Sequence, residues 1–128
     1  MIVFVDINDT FRAAAAARYY EAKTGLPAAH AGVFSEKGIP SGAIAQQAAR
    51  EWGIDLTDAR SVPAERALLA QAERICAVTA AIAARLAEDY PEYASKITAI
   101  ELPDPFGMGK QAYLDCLDAM RIQLEGWK

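Results

Sequence analysis

Asp6 and Arg12 stand six residues apart, at the end of the apolar run Ile2-Val3-Phe4-Val5 and at the start of an alanine-rich segment. A strand that breaks into a polar loop and runs into a helix makes an anion site. Loop amides and the positive end of the helix converge there, just beyond the carboxyl edge of the strand. A guanidinium at the helix start can grip two oxygens of an oxyanion at once. The first position of this loop is a carboxylate, and Ile7, Asn8, Asp9, Thr10 and Phe11 fill the span between. Two chemistries follow: Asp6 acts on a bound oxyanion as nucleophile, or it takes Arg12 or the loop amides for itself. Asp9 adds negative charge, and its position predicts a cap on the first turn of the helix.

Several elements must position these groups. Residues 2–5 are continuously apolar and β-favouring, as expected of a strand buried on both faces. Residues 11–24 read as a helix closed by Gly25. A second strand is expected over His30–Val33, and Ser41 should cap a helix that runs to about Trp52 and ends at Gly53. Residues 53–57 read as loop, 63–72 as helix and 74–78 as a third strand. Thr79 caps a helix that ends before Pro91, 96–102 is the fourth strand, and the last helix runs from about Lys110 to the terminus. Tyr113, Leu117, Met120, Leu124 and Trp127 recur every three or four positions on that helix, so one face docks on the sheet. Strands alternating with helices predict a three-layer α/β/α architecture whose four-stranded parallel sheet has the order 2-1-3-4.

The chain has 128 residues, the length of one ordinary domain, and no internal repeat or linker divides residues 1–128. Its net charge is -4, and the 13 basic residues are scattered, which argues against a nucleic-acid partner. Cys76 and Cys116 are far apart with no zinc-like spacing, so reduced thiols in a cytoplasmic protein are expected. Neither a secretory leader pattern nor an apolar run of spanning length is present, and no membrane partner is expected. Nor does any residue pattern call for a metal or other cofactor. His30, the one histidine, has no Ser, Cys or carboxylate at triad-like spacing, so a structural or surface role is expected. Of Tyr19 and Tyr20, one should pack and the other face water. Trp52 and Trp127 read as helix-end core or flank residues, and Glu88-Asp89 as a solvated helix end.

Three places in the chain, in this order, resemble the low-molecular-weight protein tyrosine phosphatase family. They are Val3-Phe4-Val5-Asp6 through Arg12, then Ala31-Gly32 with the later Gly53-Ile54-Asp55-Leu56-Thr57, and finally Asp104-Pro105-Phe106-Gly107. The resemblance covers nearly the whole chain and implies the phosphate loop at residues 6–12. It also implies that Asp104 matches the general acid that protonates the leaving tyrosinate, and that Phe106 matches an aromatic lining the substrate cleft. Candidate catalytic positions are therefore Asp6, Arg12 and Asp104.

Departures from the family pattern gather in the loop. Asp6 stands where the nucleophilic cysteine belongs, Phe11 at the second loop cysteine, Ala13 at the serine after the arginine, and Asp9 at the asparagine that helps hold the loop. No Cys-x5-Arg occurs elsewhere, since Ile82 follows Cys76 by six residues and Ile122 follows Cys116. Those two cysteines do not supply the disulfide relay of related arsenate reductases either. A carboxylate facing a phosphate opposes binding by roughly 4 kcal/mol per charge pair at about 4 Å and an effective dielectric near 20. The expected function is a phosphatase-like protein that has lost cysteine chemistry and serves as a binding or regulatory module. It would take a phosphate or phosphorylated ligand weakly, or a protein partner. The alternative is a phosphomonoester hydrolase that uses Asp6. Asp6-Ile7-Asn8-Asp9-Thr10 is similar to the Asp-x-Asp-x-Thr loop of haloacid-dehalogenase-type phosphatases, yet Asn8 replaces the second acid and no later acidic metal pair follows. A receiver domain would need an acid at the end of the third strand, where Val78-Thr79-Ala80 has none.

Overall fold

The computed structural model describes residues 1–127. Strand β1 (Ile2–Asp6) is buried along its whole length because it lies inside the sheet, between β2 (Ala28–Gly32) and β3 (Arg74–Ala77). Strand β4 (Ile97–Ala99) completes a parallel sheet in the order β2-β1-β3-β4. The register pairs Asp6 with Gly32 on one side and Val5 with Ala77 on the other, so these strands end together at one carboxyl edge.

Helix α1 (Arg12–Thr24) joins β1 to β2, and α4 (Ala80–Asp89) joins β3 to β4. The two crossovers step in opposite directions along the sheet, and right-handedness therefore puts these helices on opposite faces. Helices α2 (Ala43–Glu51) and α3 (Arg66–Gln71) lie between β2 and β3 in the chain, and α5 (Lys110–Gln123) packs along α2 and touches α1. Ala13 to Ala17 on α1 are all buried. Their small side chains let the helix backbone lie close to the sheet, and Phe4 meets Tyr20 edge-on at 5.8 Å.

Element boundaries shift where tertiary bonds outbid local signals. Helix α3 begins at Arg66 instead of residue 63. Val62 to Ala64 stay extended and pair with the end of β2, with Gly32 N bonded to Val62 O at 2.9 Å and Ala64 N to Gly32 O at 2.8 Å. Pro63 favours that course, since the residue before a proline avoids helical angles. Strand β2 covers 28–32 in place of 30–33, following the register of β1. Strand β4 is three residues, not seven. Pro91–Lys96 forms a 3-10 turn, and beyond β4 the chain still follows β3 through Ile100 N to Ala77 O and Leu102 N to Val78 O. Gly42 is the N-cap of α2, and the Ser41 hydroxyl goes elsewhere, as described below. Thr79 does cap α4, its hydroxyl accepting from Ile82 N, and Gly25 closes α1 in the left-handed region at φ 73°. The last helix stops at Gln123 and does not reach the terminus; Lys128 lies outside the described residues. Leu117, Met120 and Leu124 are buried, while Trp127 packs beyond the helix with the Arg74 guanidinium 3.6 Å from its ring. Tyr20 is buried and Tyr19 half-buried against Trp52, and Glu88 and Asp89 are exposed. No described helix is long and apolar enough to cross a membrane.

Candidate functional site

The loop from Asp6 to Arg12 lies pressed against the end of β2. A Cβ on Gly32 would come within 2.5 Å of Ile7 O, so only a glycine lets the two backbones approach this closely. Donors from the segment after β2 then take the loop carbonyls one by one. Val33 N and Phe34 N bond to Asp6 O and Ile7 O at 2.9 and 2.7 Å, and the Ser35 and Ser41 hydroxyls bond to Asn8 O and Thr10 O at 3.0 and 2.6 Å. With its carbonyls held outward, the loop can turn amides inward, as an anion-binding nest requires.

Asp6 itself receives two of those amides. Asp9 N donates to its Oδ1 at 2.6 Å and Ala13 N to its Oδ2 at 2.9 Å, so the carboxylate satisfies both the loop and the first turn of α1. Burial raises the Asp6 carboxyl to about 6, with the Asp9 charge adding to the rise; the two amides and, more weakly, Arg12 pull the other way.

Asp9 does not cap α1. It adopts a left-handed backbone at φ 56°, and its side chain turns away from the helix toward β2. There Oδ2 accepts Val62 N at 2.8 Å and meets His30 Nδ1 at 2.6 Å. Oδ1 is buried with no hydrogen-bond partner among the described residues, and burial raises the Asp9 pKa against the opposing pull of His30. His30 thus has the structural role expected of it, although the sequence showed no carboxylate partner. The one available signal was a polar ring within an otherwise Ala-Gly strand.

Arg12 does not pair with Asp6 through a hydrogen bond. Its buried guanidinium donates from Nη1 to Leu102 O at 3.1 Å, and Nη2 lies 4.0 Å from Asp104 Oδ2. Asp104 is 59 % exposed, so this outer contact contributes little beside the buried bond to Leu102. Asp104 Oδ1 accepts Phe106 N at 3.1 Å in a local turn, leaving the Phe106 ring exposed. The structure brings Asp6, Arg12, Asp104 and Phe106 to the same carboxyl edge, around one small cleft that Tyr113 also lines. Its volume is about 20 Å³. The remaining loop residues divide: Ile7 and Asn8 are exposed, Thr10 is half-buried with its hydroxyl on Asn8 Oδ1, and Phe11 is buried edge-on to Tyr113. Cys116 sits behind this site on α5, but burial pushes both its thiol and that of Cys76 up to about 12, so neither presents a thiolate near neutrality. No group of three or more His, Cys, Asp or Glu side chains is arranged to hold a metal ion among the described residues.

A four-stranded parallel sheet in the order β2-β1-β3-β4, flanked by helices, with the loop from Asp6 to Arg12 at its carboxyl edge, defines the class of protein as an α/β fold. A profile described as low molecular weight phosphotyrosine protein phosphatase matches residues 1–128, and the chain belongs to that family. No curated protein sequence matches it significantly. Among solved structures, it is similar to the YwlE arginine phosphatase from Geobacillus stearothermophilus. Identity there is 26 %, covering 97 % of this chain and 87 % of that one, with a TM-score of 0.89. A low molecular weight protein tyrosine phosphatase from T. tengcongensis is 28 % identical over 93 % of this chain and 90 % of that one, with a TM-score of 0.87. Vibrio vulnificus Wzb, in complex with benzylphosphonate, shares the fold at 22 % identity, with coverage of 98 and 94 % and a TM-score of 0.92.

Proposed function

We propose that this chain is a phosphatase-family protein without cysteine-dependent hydrolysis, in which Asp6 fills the anion position of the loop and the molecule serves as a binding or regulatory module. The observation that carries this reading is the pair of amide bonds to Asp6 from Asp9 and Ala13. What remains of the cleft, about 20 Å³, suits a single water, for which about 10–15 Å³ is enough, and not a phosphate. Partners in this reading are a phosphorylated ligand held weakly, or a protein that recognises the surface around the loop. Large apolar side chains are exposed there: Phe34 and Phe106 are 77 and 76 % exposed, and a groove of about 520 Å³ is lined by Val33, Phe34 and Ile39 together with the polar Asn8, Thr10, Ser35 and Glu36.

Hydrolysis of an aryl phosphate in the presence of a metal chelator tests the reading. The protein as it stands should show no turnover above background, and Asp6→Cys combined with Ala13→Ser should show some. Robust turnover that disappears in Asp6→Asn would replace this reading with a carboxylate nucleophile.

A further inference from the structure

We infer that the carboxyl edge around the loop is a docking surface for an unphosphorylated protein segment that carries apolar or aromatic side chains flanked by lysine or arginine. The inference rests on the reading of this chain as a binding module, and it names the chemistry of the partner.

Two hollows adjoin at this edge, because Asn8 and Thr10 line both the groove that holds Phe34 and the small cleft that holds Phe106. Each of these rings is bare while its backbone is held. Phe34 N donates to Ile7 O at 2.7 Å, and Phe106 N to Asp104 Oδ1 at 3.1 Å. A ring displayed on a tied backbone loses little further freedom when a partner covers it, so its burial is converted into affinity at a small ordering cost. Ile39 in the groove and Met108, two residues beyond Phe106, are exposed as well. Apolar groups thus face solvent on the segment after β2 and on the segment before α5, and exposed apolar surface of this kind marks a site of interaction.

Charge selects the partner. Glu36 is the one charged residue lining the groove, and it is exposed and makes no ion pair among the described residues. Around the cleft, Asp6 and Arg12 are buried, the Arg12 guanidinium lies on Leu102 O, and Asp104 is exposed. Both charges that reach solvent along the two hollows are therefore acidic. Lys37 follows Glu36 but lines neither hollow, and Lys110 is paired with Glu51. Lysine or arginine at the ends of a bound segment would meet Glu36 and Asp104 while its apolar middle covers Phe34 and Phe106. A phosphorylated segment would bring a charge of about −1.5 to −2 to this acidic rim, above a loop whose amides Asp6 already takes, and is repelled. A second copy on this face would set one acidic rim against another, and the net charge of -4 adds to that repulsion.

An array of synthetic peptides with varied apolar interiors around a tyrosine tests this, each peptide made in three versions: flanked by arginine, flanked by glutamate, and flanked by arginine with the tyrosine phosphorylated. The arginine-flanked set should retain the purified protein, the phosphorylated version should bind about tenfold more weakly or worse, and retention should fall as salt rises. Phe34→Ser and Phe106→Ser should each weaken binding of the best peptide by about tenfold in fluorescence anisotropy. Both side chains are exposed, so urea melts of these variants should match the wild type. Glu36→Lys combined with Asp104→Lys should reverse the choice, from the arginine-flanked to the glutamate-flanked set. Equal retention by the two flanked sets, or retention by neither, would overturn the docking surface; the reading of Asp6 is judged separately, by aryl phosphate turnover of the same preparation. Preference for the phosphorylated version, competed away by inorganic phosphate, would overturn both. A protein that ignores every peptide but sediments as a dimer, and as a monomer after Phe34→Ser, would give this edge to a second copy and overturn the proposal.

Discussion

Replacing Asp6 by asparagine should alter how stability depends on pH more than it alters stability at any one pH. The carboxyl ionises near 3.8 when exposed in the unfolded chain and at about 6 in the fold. The folded state therefore binds the proton more tightly. The stabilisation this gives is full below about 3.8 and is lost as pH rises through 6. A difference of that size corresponds to roughly 3 kcal/mol across the window, of which about half has gone by pH 5. Asparagine has nearly the same shape and keeps one acceptor for Asp9 N or Ala13 N. It turns an NH2 toward the other amide, at a cost of about 1–3 kcal/mol that does not vary with pH. Removal of the charge also relieves Asp9, whose own ionisation is opposed by burial, and this works in the same direction. Urea denaturation of both proteins from pH 4 to pH 8 isolates the effect, because every other titrating group cancels to first order in the difference. Wild-type stability minus variant stability should grow by about 2–3 kcal/mol on going from pH 8 to pH 4. Parallel curves would mean that burial does not outweigh the two amide bonds to Asp6, and the raised ionisation of this carboxyl would have to be dropped.

Other consequences can be checked separately. Ala13→Ser alone should confer no aryl phosphatase activity in a metal-free assay, since it restores a hydrogen-bond partner to a thiolate that is not there. Gly32→Ala should destabilise the protein by about 2 kcal/mol or more in urea melts, because the new methyl group meets Ile7 O at 2.5 Å and Ser35 Cβ at 2.8 Å; a neutral result would show that the loop yields freely. His30→Ala leaves the buried Asp9 carboxylate with Val62 N as its remaining donor, and should cost roughly 1–3 kcal/mol at pH 7 by the same measurement. Its recovery in the double variant with Asp9→Asn would identify the lost pair as the cause. Thr79→Ala removes the hydroxyl that accepts Ile82 N at the start of α4, and about 1 kcal/mol of stability should go with it.

What the sequence determined by itself was whatever depends on neighbours along the chain. A continuous apolar run must be buried on both faces, which put β1 inside the sheet; Gly25 can adopt the left-handed angle that ends α1. The absence of any Cys-x5-Arg spacing is likewise legible without reference to a fold. Alternation of strands and helices, read with the family resemblance, was enough for the parallel order β2-β1-β3-β4 and for a common edge carrying Asp6 and Asp104. The partners of Arg12 and Asp9 were decided only by the tertiary structure, because they lie far away in sequence and sequence spacing does not encode them. Arg12 could face Asp6 or a carbonyl, and it is the close approach of Leu102, ninety residues on, that takes the guanidinium. Asp9 could cap its own helix or reach across to β2, and the exact register that sets Phe4 beside His30 favours the second. Register also places Gly32 under Ile7, where the missing side chain lets the loop sit flat and aim two amides at Asp6. A buried carboxylate takes whatever donors packing brings within about 3 Å, and here packing brings amides of its own loop.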